Sequence, residues 1–168
     1  IYWAKQHNKG TFFHLPFSEI GNLKERFDCI YCIGNSLSYL PYTATHKFLQ
    51  DVFNLLNYAG VFLLQLVNWD KYRLSGSMDF PIQYLADGRG FQRTYEPLPD
   101  SSVLFKTSIQ KDGQILQTWS DQLFPRYADS FPKEIEKSSL RINGIYGDFQ
   151  RNPFDPSTSP ALIITAEK

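Results

Sequence analysis

Two short polar stretches, each directly after an apolar run, carry the side chains best suited to bind a small polar ligand. Asn35 and Tyr39 follow the first run, and Asn68, Trp69 and Asp70 follow the second. The Asn35 amide could orient an amine or a carboxylate, and Tyr39 could reach a reacting group from the same loop. Asn68 and Asp70 could hold polar substrate groups beneath the Trp69 ring. These candidates also have purely structural alternatives. Asn35 could support its own turn and Tyr39 could be an aromatic wall. Asp70 could cap the segment that follows, and Trp69 could lie in the core.

A second pair of candidates lies further along the chain, where Arg93 and Tyr95 are two residues apart in FQRTYE. Residues at this spacing point to the same face of a strand. A guanidinium and a phenol on one face could clamp a substrate carboxylate. The alternative is a solvated strand face.

The two cysteines, Cys29 and Cys32, form a CxxC pattern that is also found in redox and zinc sites. On a strand, residues three apart point to opposite faces, so the two thiols should diverge. The histidines His7, His14 and His46 show no metal-ligand spacing. We therefore expect buried structural cysteines and no metal site.

The elements that position the first candidates form a strand, helix, strand unit. The run Cys29–Ile33 predicts a strand buried on both faces, as in a parallel sheet. An amphipathic segment over residues 43–58 predicts a helix, with Thr43 or Thr45 as N-cap and Gly60 in the left-handed position after its end. The second strand is VFLLQLV. Both polar stretches then lie at the carboxyl edge of the sheet, where α/β proteins bind ligands.

If both strands end at that edge, their first loop residues should lie roughly 5 to 10 Å apart. We therefore expect Asn68 and Asp70 to line the same cavity as Asn35.

The rest of the chain predicts a helix end at Ile1–Asn8, a short strand at Thr11–Leu15 and, within a loop-rich region, one strand at Phe91–Glu96. Two alternating runs joined by Lys111-Asp112-Gly113-Gln114 predict a β-hairpin, because Asp-Gly favours the tight turns of hairpins. A last helix is predicted over Ser130–Ser139, with Ser130 as its N-cap.

Composition excludes several classes of protein. The chain has 168 residues, enough for one domain, with 17 basic and 17 acidic residues. A neutral balance disfavours a nucleic-acid partner. No apolar run approaches the ~20 residues of a membrane span, and the first residues lack the form of a signal peptide. A cytoplasmic protein is the default expectation.

Three segments of the chain carry a resemblance to a known family. FDCIYCIGNSLSYL, GVFLLQLVNWDKY and INGIYGDFQRNPFDPSTSPALIITAEK resemble the fourth, fifth and last two strands of class I S-adenosylmethionine-dependent methyltransferases, in the glycine N-methyltransferase-like branch. The implied fold class is α/β, the C-terminal part of a Rossmann-like sheet with an antiparallel β-hairpin insert. The implied division is a partial core over 1–70, a substrate lid over 71–128 and a completion of the core over 129–168.

The resemblance also implies the cofactor, S-adenosylmethionine, and a role for each candidate residue. Asn35 and Tyr39 become the catalytic residues, and the other candidates above become substrate-binding. Thr11 stands where many relatives have an acid that contacts adenine. The cofactor-binding residues are then Phe12, Leu15, Pro16, Phe17, Cys32, Ile33, Gly34 and Leu37.

The implied activity is direct in-line transfer of a methyl group to a small molecule, an amine, without a metal. The glycine-rich turn and the ribose-binding acid of the family belong upstream of Ile1, so we expect the chain to be the C-terminal portion of a larger methyltransferase. Thr11–Leu15 should then lack a sheet neighbour, and Cys29–Ile33 should lie at an exposed edge that could form a homo-oligomer. The alternative is a truncated, non-catalytic module used for association.

Overall fold

The computed structural model describes residues 1–73 and 78–168. In these ranges the helices are α1 (Tyr2–His7), α2 (Tyr42–Leu55) and α3 (Phe131–Glu136). The strands are β1 (Phe27–Cys32), β2 (Leu56–Val67), β3 (Met78–Asp79), β4 (Gln83–Tyr84), β5 (Gly90–Pro97), β6 (Val103–Lys111), β7 (Gln114–Leu123), β8 (Arg141–Tyr146) and β9 (Ala161–Glu167). None of the described helices has the length and apolar character needed to cross a bilayer.

The core is a four-stranded sheet in the order β1-β2-β9-β8. Strands β1 and β2 are parallel and joined through α2, so the expected strand, helix, strand unit is confirmed. Strand β9 runs antiparallel between β2 and β8. This mixed α/β sheet, with an antiparallel pair closing one side, confirms the predicted fold class.

Helices α2 and α3 bury one face of this sheet. Phe48 and Val52 of α2 and Ile135 of α3 pack with alternate residues of β2, such as Phe62 and Leu64, in one apolar core. The alternation follows because successive strand residues point to opposite faces.

Strand β1 departs from its prediction, because only one of its faces is covered. Cys32 is buried, whereas Cys29 and Tyr31 are exposed, Tyr31 at 68%. The apolar run predicted burial on both faces, but no described element packs on the second face. The strand does lie at the sheet edge, as expected.

The start of α2 also differs from its prediction. Its N-cap position is occupied by Pro41, not by Thr43 or Thr45. The Thr45 hydroxyl instead donates to the Pro41 carbonyl oxygen, at 3.3 Å, from within the first turns. Helix α2 therefore begins without a side-chain cap, which the sequence did not indicate.

The end of α2 lies three residues earlier than predicted, because β2 begins immediately at Leu56. Ala59, not Gly60, adopts the left-handed conformation, with φ of 58°. Gly60 is required for a different reason: a Cβ there would lie 2.9 Å from the Asn57 carbonyl oxygen and 3.1 Å from that of Phe27. The glycine therefore permits close packing of β2 on the start of β1.

The N-terminal segment contains the predicted helix, α1, but Thr11–Leu15 forms no strand. A strand needs a partner for its backbone groups, and no described residue pairs with this segment. A 3-10 turn at Phe17–Asn22 follows and packs on α2, with the Phe17 and Phe48 rings 5.2 Å apart.

The region between β2 and α3 forms a separate antiparallel sheet in the order β3-β5-β6-β7, with β4 also paired to β5. We call β3–β7 the insert. The predicted hairpin is confirmed: Asp112 and Gly113, with φ of 50° and 79°, form the two-residue turn between β6 and β7. Where one strand was expected before this hairpin, three are present; the predicted break at Gly76 lies outside the described residues.

The last predicted helix is shorter than expected. It covers Phe131–Glu136, and Ser130 occupies the N-cap position without a capping side-chain hydrogen bond. The predicted final strand pair is present, and β8 ends at Tyr146.

Candidate functional site

The loop after β1 is held tightly against the end of β2. Gly34 and Asn35 both adopt left-handed backbone conformations, with φ of 71° and 62°. The Gly34 N–H donates to Gln65 Oε1 at 2.6 Å, and Asn35 Oδ1 accepts from the Val67 N–H at 3.1 Å. These bonds fix the loop at the carboxyl edge of the two parallel strands, as the sequence predicted.

A buried chain of hydrogen bonds extends from this loop to Trp69. The Ser38 hydroxyl donates to Asn35 Oδ1 at 2.8 Å and accepts from Trp69 Nε1–H at 3.1 Å. Ser38 is fully buried and Trp69 is 2% exposed. Asn35 Oδ1 thus accepts hydrogen bonds from two protein donors. Sequence reasoning missed Ser38, because nothing in its local pattern indicates burial.

An aromatic cluster joins the insert to this edge. The Tyr95 ring centroid lies 5.1 Å from that of Trp69 and 5.2 Å from those of Phe80 and Phe105. Directly after the insert, the Phe124 N–H donates to the Ser38 carbonyl oxygen at 2.7 Å. The insert therefore lies at the carboxyl edge, as a substrate lid would require.

A cavity of about 280 Å³, which we call the acceptor cavity, opens between this cluster and the segments that follow β2 and β7. Its walls are mainly aromatic and aliphatic, with several hydroxyls. The lining residues are Trp69, Tyr72, Arg73, Met78, Tyr95, Pro97, Leu98, Ser101, Ser102, Val103, Pro125 and Tyr127.

A second cavity, of about 370 Å³, lies at the exposed end of β1 and is called the edge cavity. It brings together three predicted cofactor residues, Phe17, Cys32 and Ile33. Beside it, Gly34 is open: a Cβ there would meet only Ser36 Oγ, at 4.0 Å. The remaining lining residues are mostly apolar: Ile20, Ile30, Tyr31, Ser36, Phe48 and Val52.

Other predicted cofactor residues do not line the edge cavity. Leu37 is fully buried in the main core, so its side chain cannot face a ligand there, which corrects that prediction. Phe12 and Leu15 are half-buried and Pro16 is exposed, and none of the three is among the lining residues. A turn residue can point its side chain to either side, which the sequence does not specify.

The Asn68 side chain and one Asp70 carboxylate oxygen bond to the protein backbone, and neither residue lines the acceptor cavity or the edge cavity. Asn68 Nδ2 donates to the carbonyl oxygens of Asp155, Pro156 and Ser159, at 2.9 to 3.3 Å. Asp70 Oδ2 accepts from the Ala128 N–H at 3.0 Å. The prediction that Asn68 and Asp70 line one cavity with Asn35 is therefore wrong. The backbone of residues 155–159 and of Ala128 takes the hydrogen bonds of these side chains.

Arg93 and Tyr95 do share a strand face, since both contact Phe80. The Arg93 guanidinium carbon lies 5.0 Å from the Phe80 ring centroid. This cation–π contact adds Arg93 to the aromatic cluster. The structure shows Tyr95, and not Arg93, on the wall of the acceptor cavity.

Burial sets the protonation of the groups at the edge. It raises the pKa of the Tyr39 phenol, to which the nearby Asp121 carboxylate adds, and it raises the pKa of the Tyr95 phenol. Burial also raises the pKa of the Cys32 thiol to about 11. At neutral pH these groups are therefore protonated and cannot act as bases. No group of possible metal ligands occurs among the described residues.

Arg126 is a second residue that sequence reasoning missed. It is 2% exposed and lies between the Tyr42 and Phe131 rings, with its guanidinium carbon 4.6 and 5.8 Å from their centroids. Its Nη2 donates to the Leu40 carbonyl oxygen and to Thr45 Oγ1, at 2.9 and 2.6 Å. Arg126 therefore ties the end of the insert to the start of α2.

No protein family model matches the chain. A curated relative, the glycine/sarcosine N-methyltransferase of Halorhodospira halochloris, is 28% identical over 144 residues. The match covers 85% of this chain and 52% of the relative, so the chain spans about half the length of that protein.

Solved structures also match the fold of this chain. An S-adenosylmethionine-dependent methyltransferase from Clostridium acetobutylicum matches 99% of this chain and 68% of its own, with a TM-score of 0.79 and 18% identity. The CcbJ methyltransferase from Streptomyces caelestis matches 84% of this chain and 61% of its own, with a TM-score of 0.73 and 19% identity. Others were solved with S-adenosylmethionine or S-adenosylhomocysteine bound.

Proposed function

We propose that this chain, which has the class I S-adenosylmethionine-dependent methyltransferase fold, transfers a methyl group to a small-molecule amine. The carrying observation is the pair of cavities at one sheet edge. The edge cavity lies at the Gly34 loop and the acceptor cavity lies at Trp69, and the Asn35–Ser38–Trp69 hydrogen bonds join the two. A donor and an acceptor held on either side of such a rigid connection can be aligned for direct transfer.

The residues of the edge cavity fit part of the cofactor. Phe17, Ile30 and Ile33 offer apolar contacts suited to a purine ring, and the open Gly34 lets a ligand approach the backbone. The Ile33 carbonyl oxygen already accepts from Ser36 Oγ at 2.7 Å and retains a second lone pair for an ammonium group. When bound, S-adenosylmethionine would supply a methyl group on a sulfonium.

In the acceptor cavity, the protein contributes orientation and exclusion of water. Trp69 and Tyr95 line the cavity, and their rings, tilted by 47° and in contact, limit solvent access. Tyr39 is 46% exposed and does not line this cavity, but it lies close enough to Tyr95 to affect the pKa of that phenol. From there its oxygen can accept a hydrogen bond from an amine N–H of the substrate and so orient the nitrogen lone pair. Because Tyr39 and Tyr95 stay protonated, neither removes the amine proton, and the amine must arrive in its neutral form.

An amine acceptor is supported by the N-methyltransferase name of the curated relative. The insert supports it as well, since its aromatic rings can hold an alkylated nitrogen by cation–π contact once the methyl group has been transferred. We assign residues 71–128 to a substrate lid, on the basis of Tyr95 and the other insert residues that line the acceptor cavity.

The test is methyl transfer from radiolabelled S-adenosylmethionine to a panel of small amines. We expect labelled product with at least one amine, and a decrease of about tenfold in kcat/KM for Tyr39→Phe. Tyr84→Phe, at a tyrosine that is 75% exposed on the insert, is the control and should retain activity. Absence of transfer to every amine would favour a non-catalytic module that functions in association.

A further inference from the structure

Half-buried aromatic and sulfur side chains form much of the wall that the acceptor cavity offers to a ligand. Tyr72, Met78, Tyr95 and Tyr127 line it, and each of them is partly accessible. Tyr95 and Tyr72 pack against Trp69, with ring centroids 5.1 and 6.5 Å from its own. Trp69 is 2% exposed and supports these rings from behind. The wall is therefore preformed and suited to ring–ring and sulfur–ring contacts.

The charged group and one buried hydroxyl of this cavity already have partners in the protein. Among the described lining residues, Arg73 alone carries a charge, and its guanidinium pairs with the Asp129 carboxylate at 2.7 Å. The Ser102 hydroxyl donates to Asp100 Oδ1 and accepts from Gln122 Nε2. A ligand carboxylate would have to share Arg73 with Asp129, whereas an apolar ligand group leaves these contacts intact.

The volume of the acceptor cavity indicates the size of its ligand. An apolar cavity of about 150 Å³ holds a benzene molecule. At about 280 Å³, the acceptor cavity has room for a six-membered ring and a short chain, about eleven non-hydrogen atoms by the same ratio. A molecule as small as glycine would fill less than half of it and would leave most of the aromatic wall without contacts.

We propose that the acceptor cavity recognises an arylalkylamine, an amine joined to an aromatic ring by a short alkyl chain. The ring packs among Tyr72, Met78 and Tyr95, and the amine lies beside the Tyr95 phenol. The inference rests on the proposed function, because it names the class of amine that accepts the methyl group. The binding of the amine itself requires no methyl donor and can be measured alone.

The test uses Met78, the one methionine of the chain, as an NMR probe in the cavity wall. Methionine is labelled with ¹³C at its methyl group, and loss of the signal in Met78→Leu assigns it. The ring current of 2-phenylethylamine should shift this signal. This amine should bind about threefold more tightly than 2-cyclohexylethylamine, which matches it in non-hydrogen atoms but lacks the aromatic ring. Ethylamine should bind more weakly by about tenfold or more, because it buries little apolar surface.

An unmoved Met78 signal at the solubility limit of 2-phenylethylamine would overturn the inference, and so would equal binding of the aromatic and the cyclohexyl amine. Binding with the expected preference but without methyl transfer would contradict the proposed function and leave this inference intact. Methyl transfer to another amine, with no shift at Met78 from 2-phenylethylamine, would overturn this inference alone.

The matched variants are Tyr72→Leu and Tyr84→Leu. Tyr72→Leu keeps an apolar side chain but removes a ring from the wall, so the preference for the aromatic amine should fall about twofold or more. Tyr84 is 75% exposed on the insert and does not line the cavity, so Tyr84→Leu should leave the preference unchanged. An equal preference in the two variants would show that the ring does not pack on Tyr72 and would overturn the proposed placement.

Discussion

Cys29 and Cys32 differ in their surroundings although only two residues separate them. Cys29 lies on the exposed face of β1, and Cys32 points into the core with its pKa raised to about 11. Since the thiolate is the reactive species, a buried thiol with a raised pKa should be inert at neutral pH. The pair is therefore neither a redox couple nor a metal site.

We predict that iodoacetamide at pH 8 modifies one thiol of the native chain, Cys29. Cys29→Ser should abolish the labelling, and Cys32→Ser should retain it. Mass spectrometry of the intact chain measures the extent of modification. Rapid labelling of both thiols without unfolding would show that Cys32 is accessible, contrary to the structure.

The placement of single residues could be predicted from the sequence where neighbouring residues determine it. The Gly34-Asn35 turn and the shared face of Arg93 and Tyr95 follow from residue type and spacing. Ser38 and Arg126 could not be found in this way, because their partners are 31 and 81 or 86 positions distant in the chain. Asn68 was misassigned for the same reason, since the turn near Ser159 takes its amide.

Tyr95 is the central contact between the insert and the core sheet, because its ring meets Trp69 on one side and Phe80 and Phe105 on the others. Tyr95→Ala should destabilise the chain by about 3 kcal/mol, as for other large aromatic residues removed from a packed cluster. Tyr84→Ala, at an exposed position of the insert, is the control and should cost about 0.5 kcal/mol or less.

Urea unfolding measures these costs, and hydrogen exchange shows where the structure loosens. Protection should fall first in β5 and β6, with β2 and β9 less affected. Equal loss of protection in both sheets would mean that the insert does not open independently of the core.

The elements were predictable where periodicity and turn chemistry agreed. Alternation and the Asp112-Gly113 turn predicted the hairpin, and the apolar runs predicted β1, β2 and β9. Element boundaries were predicted wrongly where tertiary pairing overrides local preference. Helix α2 ends three residues before its predicted end, and Thr11–Leu15 has strand composition but no described partner. A strand is specified jointly with its neighbour, so a single segment cannot establish it.

In the whole molecule, β1 forms one edge of the core sheet and β8 forms the other. An edge strand with exposed apolar side chains can pair with another chain. Tyr31 is 68% exposed and Ile33 43% exposed. We predict that the 168-residue chain self-associates at high concentration, and that Tyr31→Lys reduces this association by placing a charge at the edge.

Sedimentation velocity over a range of concentrations measures this effect. Ile115→Lys on the insert hairpin, where the native side chain is 65% exposed, is the control and should leave association unchanged. If Ile115→Lys disperses the chain and Tyr31→Lys does not, the insert forms the contact.

Binding of the methyl donor at the Gly34 loop and the edge cavity can be measured by amide NMR during titration of the ¹⁵N-labelled chain with S-adenosylhomocysteine. We predict shifts at Phe17 and at residues 33–36, with a dissociation constant weaker than about 10 μM, because these described residues supply few polar contacts to the ligand. Shifts that spare the Gly34 loop at saturating ligand, or no shifts at all, would contradict it.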